Sequence, residues 1–398
     1  MPLRIVIDVR HIRDFGIGSY IRNLVHGLGL VDAENQYVLT ARRGEVHEFA
    51  HLPKNFQTVP YDRSDTDLLD QIAYPWFLRT LAGDLYHVPL NRVSWMMPKP
   101  YIVTVHDMSG LLYQGRVTGW RNNLRLFLFR RGLLRADRII AVSGATRRDV
   151  ENVLGIPGSR IRQIYSAPDP RFEQRQPAAD ARAAGPDTQA FERRRILERY
   201  RIHDPFLLYT GMIRPQKNIP RLIEAFASVR THLSEHPRYK DLKLIVIGDE
   251  TSRFPGVRRA VNQYRVEGAV RFLGFVPFDT LRVFYEAAEA FVFPSLYEGF
   301  GLPPLEAMAS GTPVVTSNVS SLPEVVGDAA MTVNPENVFD IARGIREVLL
   351  DDDLRDQLRR KGFERIRLFS WRRTAEAVLE TYREVAAAAH RLPAGPGS

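Results

Sequence analysis

The sequence of 398 residues contains no cysteine, and only six of its 55 basic residues are lysine. The lack of cysteine excludes disulfides and cysteine-ligated zinc or iron–sulfur sites. No apolar run approaches the roughly 18 residues that a membrane span needs. The opening segment MPLRIVIDVRH is too short and too charged for a signal peptide. We therefore expect a cytoplasmic globular protein.

Positive charge is in excess, with a net charge of +9, and it is uneven. Arg116 to Arg138 holds seven arginines against one aspartate. No stacked aromatic–basic platform or docking motif accompanies this charge, so we expect no nucleic-acid partner. A non-catalytic protein that binds nucleic acid through its charge is kept as an alternative, to be tested by a salt-dependent DNA shift assay.

Short β-branched and aromatic runs alternate with helical patterns along both halves of the chain. The strand-like runs are LRIVIDV, YVLTA, DLYHV, YIVTVHD, RIIAVS and RQIYS, then FLLYTG, LKLIVIG, VRFLG, AFVFPS, PVVTS and AAMTVN. Strands alternating with helices predict parallel sheets with right-handed crossovers. We therefore predict an α/β fold of two doubly wound, Rossmann-like domains whose parallel sheets face each other across a ligand-binding cleft.

The domain boundaries are predicted from composition. The segment 171–200 is rich in Ala, Pro, Arg and Asp and lacks apolar periodicity, which is typical of a linker with a mobile excursion. The predicted domains are 1–170 and 201–368. A C-terminal helix over 369–390 and a disordered tail over 391–398 follow.

Two glutamates, Glu298 and Glu306, lie eight positions apart in the stretch YEGFGLPPLEAMASGTPVVTS. The pattern predicts a strand, a glycine loop, a helix that ends at Gly311, and another strand. Ligands in such units bind beyond the carboxyl ends of the strands, beside helix N-termini that favour anions. We place Glu298 in the loop and Glu306 about one turn into the helix.

A second loop carries cations. The strand FLLYTG ends in Gly211, and Arg214 and Lys217 follow just before a helix. Two cations beside a helix N-terminus suit a phosphate group, whereas carboxylates accept hydrogen bonds from vicinal hydroxyls. Together the two loops predict a site for a nucleoside diphosphate sugar. A pair of solvated surface cations is the alternative for this loop.

These motifs resemble a known family. The stretch from Tyr209 to Pro335 looks like the donor domain of glycosyltransferase family four, a retaining family with the GT-B fold. EGFGLPPLE matches its paired-glutamate motif, and GMIRPQKN matches its Arg/Lys motif. DFGIGSYIRNL, VTVHD and AVSGATRRDV resemble its acceptor domain. FSWRRTAEAVLETYREV resembles its closing helix, which crosses back to the first domain.

The resemblance implies roles for the matching residues. Arg214 and Lys217 would hold the donor diphosphate, and Glu306 would bind the ribose hydroxyls. Glu298 would contact hydroxyls of the transferred sugar, and His106 would lie beside that sugar. The other donor-binding positions implied are Gly16, Gly18, Gly211, Phe275, Val276, Gly299, Phe300, Gly301 and Leu302.

The remaining implications concern chemistry. The family's reaction is described as front-face attack by the acceptor hydroxyl, with a leaving-group oxygen taking its proton. No metal-binding D-x-D occurs in a donor loop, so we predict no metal and no other cofactor. The aspartate run 351–353 is attributed to a helix N-terminus. Asp107 is expected to be a structural partner of its loop.

The substrates are less constrained. DVRHIRDFGIGSYIRNL looks most like bacterial mannosyltransferases of polysaccharide assembly, which implies GDP-mannose as donor and a glycan or lipid-diphosphate-linked acceptor. A UDP-hexose donor is the first alternative. A sugar-nucleotide epimerase of the same architecture, a non-catalytic nucleotide-sugar binding protein and a doubly wound oxidoreductase are further alternatives. The last is disfavoured because the third glycine of the dinucleotide fingerprint is absent.

The basic stretch 116–138 is also a candidate membrane contact at the inner face of the cell membrane. A basic arc with exposed apolar residues suits an anionic lipid surface, and a core helix with a solvated arginine face is the alternative. On a helical wheel the basic arc holds Arg121, Arg125, Arg131, Arg135 and Arg138, with Trp120, Leu124 and Leu128. The opposite side holds Leu126, Phe127, Phe129, Leu133 and Leu134.

Overall fold

The structure is a computed structural model that describes residues 2–14, 16–65, 67, 69–90, 92–112, 120–173, 186–248 and 254–391. Contacts divide the chain into two units. Unit 1 consists of Met1–Ser166 and Phe369–Ser398, and unit 2 consists of Ala167–Leu368. Each unit contains one parallel sheet flanked by helices, as the alternating pattern predicts.

Unit 1 has a seven-stranded parallel sheet in the order β3-β2-β1-β4-β5-β6-β7. Its central strands are buried on both faces, which explains why they read as continuous apolar runs. The strands are β1 (Arg4–Asp8), β2 (Gln36–Ala41), β3 (Phe56–Pro60), β4 (Leu85–Val88), β5 (Tyr101–Val105), β6 (Arg138–Ala141) and β7 (Ile161–Gln163).

The helices of unit 1 pack an apolar stripe against this sheet or against one another. In the first helix, Ile21, Leu24, Val25 and Leu28 are buried at the spacing of one helical face. The helices are α1 (Ile17–Val31), α2 (Asp70–Thr80), α3 (Ser109–Leu112), α4 (Trp120–Arg135), α5 (Gly144–Leu154) and α15 (Trp371–Arg391).

The last helix, α15, belongs to unit 1 although it comes from the far end of the chain. It packs against α1, and a Cβ added at Gly27 would lie 2.9 Å from the carbonyl oxygen of Trp371. Glycine at that position therefore permits the close approach of the two helices. The predicted tail lies outside the described residues, except for Arg391.

Unit 2 has a six-stranded parallel sheet in the order β10-β9-β8-β11-β12-β13. The strands are β8 (Phe206–Thr210), β9 (Lys243–Ile247), β10 (Val270–Gly274), β11 (Ala290–Phe293), β12 (Val314–Ser317) and β13 (Met331–Val333). The helices are α6 (Pro170–Glu173), α7 (Pro186–Arg199), α8 (Ile219–His232), α9 (Pro255–Gln263), α10 (Phe278–Ala287), α11 (Leu302–Ala309), α12 (Leu322–Val326), α13 (Val338–Leu350) and α14 (Asp352–Ile366).

The segment 171–200, expected to be a linker with a mobile excursion, is described over 171–173 and 186–200, and residues 174–185 lie outside the described residues. Both of its described portions are helical, over α6 and α7, and both belong to unit 2. The α7 sequence lacks a strong apolar stripe but is rich in Arg, Glu and Ala, which favour helix without periodicity. The ring of Tyr200 packs edge-on against Phe284 of α10, 5.3 Å between centroids, and this anchors the end of α7.

Candidate active site

The strand order locates a site in unit 2. The sheet runs outward in both directions from β8 and β11, so the connections leave these neighbouring strands on opposite sides. A doubly wound sheet binds its ligand at this switch point, beyond the carboxyl ends of the strands. The loop after β8 carries the predicted cations, and the loop after β11 carries Glu298. The topology therefore brings the two predicted loops to one edge of the sheet.

Asn218 joins these loops. Its backbone takes the left-handed conformation with φ 61°, which asparagine tolerates better than most residues. Its side-chain amide donates to the carbonyl of Pro294, at 3.0 Å, and to that of Pro335, at 2.7 Å. We did not single out Asn218 from the sequence. The signal available was an asparagine directly before a helix that begins Ile-Pro.

Lys217 and Glu298, assigned to different parts of the ligand, form an ion pair with each other. The Lys217 Nζ lies 2.6 and 2.7 Å from the two carboxylate oxygens of Glu298. Both side chains are largely buried, with 17% and 10% exposed. A lysine ammonium has three N–H donors, so this pairing uses no more than two of them. The pair thus fixes a cation at the edge of the site while retaining capacity for an anion.

Two serines hold the backbone of the glutamate loop. The amide of Glu298 donates to Ser320 Oγ at 3.0 Å, and Ser320 Oγ donates back to the carbonyl of Glu298 at 2.6 Å. Ser321 Oγ lies 3.0 Å from that carbonyl and 2.7 Å from the carbonyl of Phe300. Neither serine was predicted, because the loop that carries them follows β12, a different strand.

The predicted turn at the start of α11 is present. Gly301 has φ 112° and immediately precedes Leu302, the first residue of the helix. A Cβ at this position would lie 2.8 Å from Leu322 Cδ2, so both conformation and space favour glycine. Gly299 and Phe300 complete the turn, and Phe300 is buried. Among the first three residues of α11 only Leu302 has a backbone N–H, because Pro303 and Pro304 lack one.

Glu306 occupies a different environment from Glu298. Tyr285 donates its hydroxyl proton to Glu306 Oε2 at 2.9 Å, and Thr210 Oγ1 lies 2.6 Å from the Tyr285 hydroxyl. Burial raises the pKa of Glu306 to about 7, and the negative charge of Asp169 acts in the same direction. The Tyr285 hydrogen bond opposes that shift. Tyr285 and Asp169 were not predicted as part of the site.

The other predicted residues of unit 2 lie around the same edge. Gly211, with φ 136°, follows β8 directly. Arg214 donates to the carbonyl of Ile213 at 2.7 Å, and its guanidinium lies 5.6 Å from the ring centre of Phe254. Val276 is buried and Phe275 is 80% exposed.

The predicted residues of unit 1 lie at the carboxyl edge of its own sheet. His106 follows β5, and its Nε2 donates to the carbonyl of Pro89 at 2.9 Å. Burial lowers the pKa of His106, which favours the neutral ring with a bare Nδ1. Asp107 accepts from the amide and hydroxyl of Ser109, at 2.8 and 2.6 Å, and so caps a short helix.

Gly16 and Gly18 have different structural roles. Gly16 takes φ 79° before the first residue of α1. A Cβ at Gly18 would lie 2.1 Å from the carbonyl oxygen of Ile12, so this position excludes any other residue. Gly18 therefore allows the loop after β1 to fold back closely on its own backbone.

A buried set of hydrogen bonds joins β4, β5 and α15 in unit 1. His87 lies 2.6 Å from the Tyr382 hydroxyl through Nδ1 and 2.8 Å from Thr104 Oγ1 through Nε2. Burial, with a smaller contribution from His106, lowers the pKa of His87 to about 3. The ring is therefore neutral at physiological pH. No sequence pattern pointed to His87.

Neither metal ligation nor membrane crossing is indicated in the described part of the chain. No group of three or more His, Asp or Glu side chains there is arranged to hold a metal ion. Among those residues, no helix has the length and apolarity to cross a membrane. Asp351 accepts from the amide of Leu354 at 2.9 Å and caps α14, which accounts for the aspartate run.

The exposure of side chains along α4 differs in part from the faces that the helical wheel predicts. Phe127, expected opposite the arginines, is 52% exposed, and the Arg131 guanidinium lies 5.1 Å from its ring centre. Arg138 is not helical, because it begins β6 and pairs with Glu384 at 3.6 Å. Phe129 and Leu133 are buried as expected. Residues 113–119 lie outside the described residues.

Comparison with known proteins identifies the family. The family Glycosyl transferases group 1 matches residues 192–365, and Glycosyltransferase Family 4 matches residues 16–172. The O-antigen chain mannosyltransferase B of Escherichia coli is 32% identical over 322 residues, which are 79% of this chain and 78% of that protein. The chain belongs to the group 1 glycosyltransferases. This family assignment confirms the resemblance that the loop motifs indicated.

Two further similarities define the extent of this relationship. The serotype-specific mannosyltransferase WbdA of E. coli is 31% identical over 320 residues, which are 79% of this chain but only 37% of that longer protein. A sucrose-phosphate synthase from Thermosynechococcus elongatus has a similar structure, with a TM-score of 0.71 at 22% identity, covering 97% of this chain and 100% of the other. The second similarity supports the predicted GT-B fold class.

Proposed function

We propose that this glycosyltransferase transfers mannose from GDP-mannose to a hydroxyl of a glycan or lipid-linked acceptor, with retention of anomeric configuration and without a metal. The observation that carries the proposal is the ion pair of Lys217 with Glu298 beside the β8/β11 switch point, with Glu306 on the helix that follows β11. Cations for a diphosphate and carboxylates for hydroxyls are the two chemistries that a nucleotide sugar needs. Mannose is supported by the E. coli mannosyltransferases named above.

The diphosphate is assigned to Lys217, Arg214 and the N-terminus of α11. Charge develops on the diphosphate as its bond to the sugar C1 breaks, and preorganised cations stabilise that charge. The Glu298 pairing holds the Lys217 ammonium in place before the donor arrives, so little reorganisation is needed during the reaction. The helix dipole of α11 adds partial positive charge at the same edge.

The transfer step balances without a protein base. The C1–oxygen bond to the diphosphate breaks, and the acceptor oxygen forms a bond to C1 on the same face. The acceptor proton passes to the departing phosphate oxygen. His106, neutral and with a bare Nδ1, suits a hydrogen bond to a sugar hydroxyl better than storage of a proton.

Ligand screening tests the donor assignment. We expect GDP, rather than UDP or ADP, to raise the melting temperature of the purified chain in EDTA, because a ligand that binds the native state stabilises it. The shift should be lost in Glu306→Ala. A selective response to UDP would support the UDP-hexose alternative. A requirement for added Mn²⁺ or Mg²⁺ would contradict metal independence.

Product analysis tests the reaction class. NMR of the anomeric proton should show an α-linked product from the α-linked donor GDP-mannose. An inverted product would contradict the retaining mechanism. Formation of a new sugar nucleotide without any acceptor would favour the epimerase alternative. Binding of the donor with no product in a full range of acceptors would favour the non-catalytic alternative.

We also propose that unit 1 contacts anionic membranes through α4 and α2. The exposed apolar side chains of α2 are Leu69 at its N-cap, Ile72 and Trp76, the last 65% exposed. Arg79 of α2 and Arg135 of α4 donate to the adjacent carbonyls of Met96 and Trp95. The two helices thus flank one turn, and their arginines supply the charge complementary to anionic lipid.

Vesicle flotation tests this contact. The chain should float with vesicles that contain anionic lipid at low salt, and Trp76→Ser with Phe127→Ser should reduce the floated fraction several-fold. Phe339→Ser, which alters a still more exposed aromatic side chain of unit 2, is the control. Absence of flotation at low salt would overturn the proposal.

A further inference from the structure

Glu306 is held by a short chain of hydroxyl groups that comes from two other elements. Thr210 ends β8, Tyr285 lies on α10 and Glu306 lies on α11. A carboxylate can only accept hydrogen bonds, so the Tyr285 proton points to Glu306 Oε2. The Thr210 proton must then point to the Tyr285 oxygen, at 2.6 Å. Both hydroxyl protons therefore have a defined direction when Glu306 is ionised.

Packing prevents the tyrosine from moving with the carboxylate. Tyr285 is fully buried, and its ring lies 5.6 Å from that of Phe172 and 5.4 Å from that of Phe291. Phe172 in turn packs edge-on against Phe278 at 4.7 Å, and the Arg171 guanidinium covers that ring at 3.7 Å. Burial of a large aromatic side chain in such a cluster fixes its rotamer. The hydroxyl is thus a stationary donor.

We infer that Tyr285 is a positioning residue that fixes one oxygen of Glu306 so that the other faces the ribose hydroxyls of the nucleotide. The inference rests on the proposed function, because it assumes that Glu306 binds ribose. Oε2 receives the tyrosine proton, and Oε1 receives no hydrogen bond from any described residue. Thr210 acts through Tyr285 by occupying its acceptor lone pair, which leaves the phenolic proton for Glu306.

Burial and negative charge around Glu306 disfavour its ionisation, and the hydrogen bond from Tyr285 opposes this effect. The carboxylate is half-buried, and Asp169 places a second negative charge nearby. Asp169 is itself held by Arg171, with 2.9 Å between Oδ2 and Nη2. A hydrogen bond to the charged form favours ionisation, which the acceptor role requires. Tyr285 is thus expected to favour both the orientation and the charge state of Glu306.

A thermodynamic cycle that changes both a side chain of the protein and the ribose hydroxyls of the ligand tests the inference. Wild type, Tyr285→Phe and Tyr239→Phe would be titrated calorimetrically at pH 8 with GDP and with its 2′,3′-dideoxy analogue. Tyr285→Phe should weaken GDP binding about tenfold and change binding of the dideoxy analogue less than twofold. Tyr239 is a buried tyrosine whose hydroxyl contacts Glu289 and Arg355 near the opposite edge of the sheet. Its variant should bind both ligands like wild type.

A pH titration provides a second readout. The pH below which GDP binding declines should rise in Tyr285→Phe, because the hydrogen bond that favours the carboxylate is gone. Thr210→Val, which keeps the shape of Thr210, should shift both readouts in the same direction by a smaller amount. That variant also keeps the test valid if Tyr285→Phe fails to fold.

The possible outcomes separate the two claims. Equal weakening of GDP and the dideoxy analogue in Tyr285→Phe, or no weakening of either, would overturn the positioning role while leaving the donor site intact. An unchanged pH profile would also count against it. If wild type binds none of GDP, UDP and ADP, the proposed function fails, and this inference fails with it.

Discussion

The first six strands of unit 1 follow the same order as the six strands of unit 2, but the two units hold their candidate residues in different ways. Unit 1 holds His87 and His106 in their neutral forms, with His87 in contact with Thr104 and Tyr382 and His106 donating to the carbonyl of Pro89. Unit 2 holds largely buried ionisable groups at the carboxyl edge of its sheet, where Lys217 pairs with Glu298 and Glu306 accepts a hydrogen bond from Tyr285. The same doubly wound architecture thus surrounds two neutral histidines in unit 1 and an ion pair of the candidate site in unit 2.

This difference is reflected in the acid–base behaviour of the buried groups. Burial disfavours the charged form of any group, so it lowers the pKa of His87 and raises that of Glu306. For His87 the neutral form is the one that its neighbours bind. For Glu306 the charged form is the one that a ligand hydroxyl needs. Burial therefore favours the neutral form of His87 that its neighbours bind, and it disfavours the charged form of Glu306 that the proposed role requires.

The largest expected effect concerns the charged site of unit 2. Lys217→Ala should reduce kcat by about 10²- to 10³-fold, because a preorganised charge that stabilises the leaving group is lost. Lys243→Ala is a matched control, since Lys243 begins β9 at the opposite edge of the sheet and pairs with Asp204. Steady-state transfer assays would measure both. A loss below threefold in Lys217→Ala would show that the lysine is structural.

The stability of unit 1 should fall sharply when Gly18 is substituted. Gly18→Ala should destabilise the unit by about 3 kcal/mol or more, because the new Cβ would clash with backbone that cannot move aside. Gly16→Ala should cost only about 1 kcal/mol, since its positive φ is strained but the space is open. Trp76, Trp95, Trp120 and Trp371 all lie in unit 1, so tryptophan fluorescence follows its unfolding by urea. Equal costs at both positions would contradict the close approach.

The neutral, buried ring of His87 in unit 1 predicts a loss of stability in acid. The folded pKa of His87 is about 3, below the ordinary value of 6.5, so the unfolded chain binds the proton more tightly. Stability should therefore be fully present above about pH 6.5 and fall as pH drops towards 3. We expect a loss on the order of 2 kcal/mol by pH 4.5.

A non-titrating variant isolates this effect. His87→Gln should be less stable than wild type at pH 7 but should lose less stability between pH 7 and pH 4.5. His26→Gln, at an exposed histidine of the same unit, should retain the wild-type dependence. Identical slopes in wild type and His87→Gln, followed by tryptophan fluorescence, would contradict a neutral buried ring.

The smallest expected effect is a gain in stability from Glu306→Gln. The folded pKa of Glu306 is raised from 4.5 to about 7, so the folded state binds the proton more tightly than the unfolded chain. Its ionisation therefore costs stability as pH rises through this range. Without nucleotide, the glutamine variant should be about 1 to 2 kcal/mol more stable at pH 8, with the gap closing towards pH 5. Hydrogen exchange in β8 and β11 would measure it, and no gap at pH 8 would contradict the raised pKa.

Much of the fold follows from local sequence. All six strands of unit 2 and six of the seven in unit 1 coincide with apolar, β-branched runs. The missed strand, β3, is an edge strand with mostly half-exposed residues, and it ends in Pro60. Edge strands need neither a continuous apolar run nor an uninterrupted set of N–H donors. The helix α7 was missed for a related reason, since its residues favour helix without forming a buried stripe.

The candidate site was predicted less completely. Arg214, Lys217, Glu298 and Glu306 belong to local motifs with recognisable chemistry, and their roles remain predictions. Ser320, Tyr285 and Asp169 reach the same edge from other elements, and their contacts depend on tertiary packing. No spacing along the chain connects Tyr285 with Glu306, or Ser320 with Glu298. Residues that hold a motif in place through tertiary contacts can therefore be recognised only once the arrangement of the strands is known.

Hydrogen exchange with and without GDP-mannose, in EDTA, tests the central claim most directly because it reports where the donor binds. We expect the donor to slow exchange in segments 211–218 and 298–306 at the β8/β11 edge. Lys217→Ala and Glu306→Ala should lose that protection at the same donor concentration. Protection confined to other segments, or equal protection in the two variants, would contradict a donor site at the switch point of unit 2.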